Sequence, residues 1–132
     1  MMTVTVRIWL SLAGASGAFA VAVDAYARHR LDPVADSYAL ELLQFAWRYQ
    51  VGHAIALILM VLLLERAAAG WCRCAVVVAG WAFVTGIVLF CGALYALAAG
   101  ASPNHAVMAP YGGVALILGW LALAIGGVAW KR

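Results

Sequence analysis

The run CAVVVAGWAFVTGIVLFCGALYALAAGASPNHAVMAPYGGVALILGWLALAIGGVAW, residues 74–130, contains no Asp, Glu, Lys or Arg. A helix crosses the ~30 Å hydrocarbon layer of a bilayer with roughly 20 mainly apolar residues, so this stretch holds two crossings and a turn. The turn is Ser102-Pro103-Asn104-His105, and Pro110-Tyr111-Gly112-Gly113 lies near the start of the second crossing. Two shorter uncharged runs, residues 8–23 and 49–64, supply one crossing each once their tolerable flanks are added. The expectation is an all-α, polytopic integral membrane protein: a bundle of four transmembrane helices in a single domain, residues 1–132, with helices at about 8–27, 45–64, 75–99 and 107–130.

Composition points the same way. Of 132 residues 68% are apolar and only 10% charged, with a mean hydropathy of +1.04, whereas soluble domains average roughly 45–50% apolar and about 25% charged. The surplus must face lipid. The net charge of +3 comes from scattered Arg and Lys rather than a patch, which argues for membrane orientation and against nucleic acid as a partner. Lys and Arg prefer the cytoplasmic side. With four crossings Arg7, Arg66, Arg73, Lys131 and Arg132 share one side, against Arg28, Arg30 and Arg48 on the other, so both termini are expected inside.

The first helix carries Gly14, Ala18 and Ala22 one turn apart, and the third carries Gly92, Ala96 and Gly100. The fourth has Ala115 with Gly119 and Ala122 with Gly126. Small residues at that spacing let helix backbones approach closely in lipid. The first helix also has the outline of a cleavable signal peptide, with Arg7 before the apolar run and Ala20-Val21-Ala22 after it. Its internal Gly and Ser, and the odd number of helices that removal would leave, favour retention. Between the first two crossings, Asp32-Pro33 is a helix start, with Asp capping free amides and Pro at the first position. A helix from there could run on to Leu64, its Val34, Tyr38, Leu42 and Phe45 lying at the membrane interface. Trp47 and Tyr49 then fall in the expected aromatic belt.

Ionisable residues at membrane depth are functional candidates. Asp24, His29, Arg48 and His53 gather near the outer ends of helices one and two, joined by Tyr49 and Gln50, which lie on the side of helix two that bears His53. Asp24 and Arg28 are four apart and can form a surface ion pair; the sharper expectation sets Asp24 against Arg48 or His53 across the helix interface. His53 needs a hydrogen-bond partner in lipid, which a facing helix can supply. Histidine is also a usual haem and metal ligand, but no third ligand accompanies it, and neither a metal nor another cofactor is expected. Cys72 and Cys74 flank Arg73 on a short turn without companion ligands for zinc, and Cys91 reads as a small core residue. No nucleophile–base pair, paired catalytic carboxylates or phosphate-binding glycine loop is present.

The stretches Ser16-Gly17-Ala18-Phe19, Asp24-Ala25-Tyr26-Ala27-Arg28-His29, Arg48-Tyr49-Gln50-Val51-Gly52-His53-Ala54, residues 86–95, Pro110-Tyr111-Gly112-Gly113 and Gly119-Trp120 resemble, in order and spacing, the small four-helix membrane family known as domain of unknown function 423. The resemblance covers nearly the whole chain. It implies that the first helix stays in the bundle and that the protein resides in a bacterial inner membrane; it implies no activity. The chain departs from the family where Gly-Ala-Phe-Gly-Ala-His is usual: the two glycines are lost, at Asp24 and Ala27, and an Asp and an Arg, Asp24 and Arg28, are gained four apart. The expected function is that of a non-enzymatic packing or accessory subunit, partnered by the lipid bilayer, by other membrane subunits or by its own copies. A bundle that binds a small molecule, proton, ion or haem through the polar cluster is the alternative.

Overall fold

The computed structural model describes residues 3–67 and 70–128, and over these the chain is built from helices and turns alone. Four helices are each long and apolar enough to cross a membrane: α1 (Val4–Arg30), α2 (Ser37–Arg66), α3 (Trp71–Ala98) and α4 (Pro103–Val128). Five residues of α3, Ile87–Cys91, form a π-turn, and α4 opens with a 3₁₀ turn, Pro103–Val107. Lys131, Arg132 and Trp130 lie outside the described residues.

One periodicity organises the bundle. The buried residues Leu43, Ala46, Gln50, His53, Leu57, Met60 and Leu64 of α2 alternate three and four apart, the seven-residue pattern that keeps a seam facing near-parallel neighbours along its whole length. On α1 the buried Val6, Ala13, Ala20 and Ala27 stand seven apart, with Trp9 between the first two. On α4 the buried positions are Gly112, Leu116, Gly119 and Gly126. Helix α2 packs against α1 on one side and α3 on the other, while α4 lies mainly on α3. The two middle helices are therefore α2 and α3, and α1 and α4 flank them.

Small residues set how close the backbones come. A methyl group on Gly112 would run into the backbone of Phe90, and one on Gly119 would meet the Phe83 ring. Trp9, fully buried, crosses from α1 onto Gly80 of α3 and meets Trp81 edge-on at 6.2 Å. The stripe Gly14, Ala18 and Ala22 faces the other way: all three are exposed, and no described residue of another helix lies within 4 Å of a methyl placed on Gly14. Following the seven-residue seam of α2 turns Ala13, Ala20 and Ala27 inward and leaves a stripe of four-residue spacing outside. Gly92 is likewise exposed and Ala96 half-buried, so of the glycines expected to pack, Gly119 and Gly126 do so, Gly119 on the Phe83 ring and Gly126 on Ala75.

The ends of the helices are closed locally. Gly100, with φ 82°, ends α3: its amide donates to Leu97 O and that of Ala101 to Ala96 O, both at 3.0 Å, the backbone pattern that favours glycine after a helix. Arg73 and its neighbours Cys72 and Cys74 lie in the first turn of α3 rather than in a loop. The Arg73 guanidinium reaches back to Leu64 O at 3.0 Å and satisfies a carbonyl near the end of α2. Between α1 and α2, Asp32 does cap free amides, accepting from Val34 N at 2.8 Å and Ala35 N at 2.9 Å. These amides belong to a separate turn that Asp36 closes by accepting from Asp32 N at 2.9 Å, and α2 starts beyond it at Ser37. The face formed by Val34, Tyr38 and Phe45 is exposed.

Two outcomes follow. Gly112→Ala should destabilise the bundle by about 1–3 kcal/mol, the usual effect of overpacking, while Gly14→Ala should leave the isolated chain unchanged; reversible unfolding in mixed detergent micelles measures both. Backbone donors hold the Asp32 carboxyl below its ordinary value of 3.8, so its contribution is complete above that value and is lost as pH falls through the lowered one. Amide exchange at Val34 and Ala35 should accordingly accelerate in acid, and in Asp32→Asn it should be less dependent on pH.

Candidate functional site

Two polar side chains are buried among the described residues, and both sit in the α2 seam: Gln50 and His53. A buried polar group without a partner is costly, the more so where no water competes. Gln50 uses both ends of its amide. Its Nε2 donates to the carbonyl and the hydroxyl oxygen of Ser16 on α1, each at 3.0 Å, and its Oε1 accepts from the Tyr95 hydroxyl of α3 at 2.6 Å. One side chain thus ties three helices. Tyr95 is held in turn by Phe19 of α1, edge-on at 5.3 Å.

His53 makes the corresponding link to α4. The indole of Trp120 donates to Nε2 at 3.1 Å. An indole nitrogen can only donate, so Nε2 is the acceptor and the ring proton is on Nδ1, which points at Tyr49 O at 2.7 Å. The arrangement requires the neutral imidazole. Phe83, at 5.3 Å from His53 and 5.1 Å from Trp120, completes an aromatic layer over Gly119. The Tyr49 ring stacks along His53 and meets Phe90 at 4.8 Å. An iron or other metal at Nε2 would have to displace the Trp120 indole. Among the described residues no three His, Cys, Asp or Glu side chains converge on one point.

The six residues picked out by sequence therefore divide. Gln50 and His53 enter the interior, with Tyr49 contributing its backbone carbonyl and an exposed ring. Asp24 and Arg48 lie together at the end of α1 and the early part of α2, lining one cavity of about 120 Å³ with Arg28. Asp24 pairs with Arg28 at 3.0 Å, an exposed i,i+4 contact worth less than about 1 kcal/mol. Arg48 lies 5.6 Å from the centre of the Trp47 ring. His29 is exposed near the end of α1, some three to four turns beyond Ser16, and joins neither group. Ser16, Tyr95 and Trp120 were not legible as site residues. A tyrosine and a tryptophan inside otherwise featureless apolar runs are the signal, because each brings a polar atom that needs a partner.

Four apolar crossings locked by buried amide and imidazole bonds define a polytopic α-helical membrane protein. The chain belongs to the family described as Protein of unknown function (DUF423), which matches residues 23–113. It is 36% identical over 118 residues to a UPF0382 membrane protein of Haemophilus influenzae, covering 89% of this chain and 91% of that one. It is 30% identical over 131 residues to the UPF0382 inner membrane protein YgdD of Escherichia coli K12, covering 97% and 95%. The UPF0382 membrane protein YwdK of Bacillus subtilis is 28% identical over 125 residues, covering 94% and 98%. No solved structure matches the chain.

If Gln50 and Tyr95 stabilise each other directly, a double-mutant cycle with Gln50→Leu and Tyr95→Phe should give a coupling of about 0.6–1.7 kcal/mol, the range for hydrogen bonds between membrane helices. Additive effects, measured by unfolding in detergent, would remove that link.

Proposed function

We propose that this protein is a non-enzymatic subunit of the bacterial inner membrane, an accessory or packing protein whose α1 docks on another membrane-spanning helix. The observation that carries the reading is the outward stripe Gly14, Ala18 and Ala22, all exposed on α1, with no described residue of another helix within 4 Å of a methyl placed on Gly14. In lipid, where apolar burial does not drive association, small residues let a second backbone come close. The buried polar groups support the same reading, since Gln50 and His53 are engaged in holding helices together. Both termini face the cytoplasm in this proposal, following the excess of Arg and Lys at that end. The partner is another subunit or a second copy of the chain.

Leucine at Ala18 should block such docking without entering the α2 seam. In mild detergent the native protein should elute with companions or as an oligomer, and a cysteine at Gly14 should cross-link it; Ala18→Leu should shift it to the monomer and lose the cross-link. A native protein that elutes as a companion-free monomer would refute the proposal.

A second reading, a bundle that binds a small ligand, is favoured by one observation: the cavity that brings Asp24 and Arg48 together.

A further inference from the structure

The cavity between the end of α1 and the early part of α2 has a mixed polar and apolar wall, whereas the cleft among α1, α2 and α3 is walled almost wholly by apolar side chains. Its charged walls are Asp24, Arg28 and Arg48, with Gln44 and Trp47 beside them. Asp24 and Arg28 neutralise each other at 3.0 Å. Arg48 has no ion-pair partner among the described residues, and its guanidinium lies 5.6 Å from the centre of the Trp47 ring. The Trp47 Nε1 is buried and has no hydrogen-bond partner. Of the other carboxylates on these segments, Asp32 and Asp36 are bonded to the backbone of their own turn, and the exposed Glu41, next to the lining Leu40, is not part of the wall.

The site thus has one uncompensated positive charge and a surplus of donors. Arg48 offers up to five N–H groups, Trp47 one, and the Gln44 amide two. Asp24 is the sole carboxylate in the lining, and its Oδ2 is engaged by Arg28. The complement is a singly charged anion rich in acceptor oxygens. The space, about 120 Å³, is several times what one water needs. The exposed Tyr26 and Tyr38 lie on the same helix ends, and tyrosines gather at the level of lipid headgroups.

We propose that this cavity binds the phosphodiester group of a bilayer phospholipid, with Arg48 as the charge-assisted donor and Trp47 and Gln44 as neutral donors. Arginine suits this task because its planar fork matches phosphate oxygens. The Asp24–Arg28 pair forms the far wall and leaves the cavity with a net charge of one.

The test is native mass spectrometry of the full chain, stripped of lipid in detergent and then offered dioleoylphosphatidylglycerol, dioleoylphosphatidylethanolamine, dioleoylglycerol or inorganic phosphate. One molecule of either phospholipid should be retained, dioleoylglycerol should not, and millimolar phosphate should not displace the lipid. Arg48→Gln should lower retention roughly tenfold or more, the scale of a lost hydrogen bond to a charged group, whereas Arg66→Gln at the opposite end should leave it unchanged. Arg48 is exposed, so the variant should melt as the native protein does; should it misfold, Trp47→Phe removes the N–H alone and should weaken retention by a smaller factor. Undiminished retention in the variant that folds, or equal retention of dioleoylglycerol, would overturn the proposal. Displacement by inorganic phosphate would keep the anion site but overturn the lipid as its occupant.

Discussion

The amide of Gln50 is buried between helices, and every partner it has belongs to a different helix from its own. Ser16 on α1 and Tyr95 on α3 must both be in place for its donors and acceptor to be satisfied. Leucines facing leucines in lipid gain little from one another, so the apolar positions of the α2 seam permit many sliding registers. Gln50 permits one. His53, a turn further on, adds α4 through Trp120, and the four helices acquire a common alignment from two side chains. Buried polar residues in helix seams specify register in this way elsewhere, at some expense of stability.

Close packing then follows from where the glycines fall. With α3 and α4 aligned by the His53 layer, Gly112 and Gly119 come opposite Phe90 and Phe83; the Phe90 backbone closes on the first, and the Phe83 ring fills the space that the second leaves. Trp9 does the same for α1, reaching across to Gly80. Both buried aromatic side chains of the core, Trp9 and Phe83, are thus received by a glycine, which helps a chain so poor in polar contacts to form a defined interior.

Much of the fold was legible from charge alone. Four crossings follow from the gaps between Arg, Lys, Asp and Glu, and the apolar excess leaves no other use for them. Their inward faces were harder to read. In helices where almost every residue is apolar, hydrophobicity does not distinguish the lipid side from the protein side, and the conspicuous Gly14, Ala18, Ala22 stripe drew attention from the seven-residue series Val6, Ala13, Ala20, Ala27 that faces α2. For the site, Gln50 and His53 stood out because polar residues are rare in such runs. Their partners did not: the hydroxyl of Tyr95 and the indole of Trp120 come from crossings whose alignment depends on the folded bundle, and the Ser16 contact is made partly by backbone. Asp32 shows the local limit, since capping chemistry was readable while the turn it caps was not separable from the helix that follows.

The π-turn of α3 places one extra residue between Phe83, which serves the His53 layer, and Tyr95, which serves Gln50. The part before it packs chiefly on α4, whereas the part after it packs on α2 as well. An α-helix advances ~100° per residue, so that one residue acts as a phase shifter, letting a single helix present two differently aimed faces to two neighbours. Restoring regular helix by removing it would rotate Tyr95 away from Gln50 while Phe83 stayed where it is. The spacing along α3 is in this sense a gauge, and the bundle reads helix length as strictly as it reads side-chain identity.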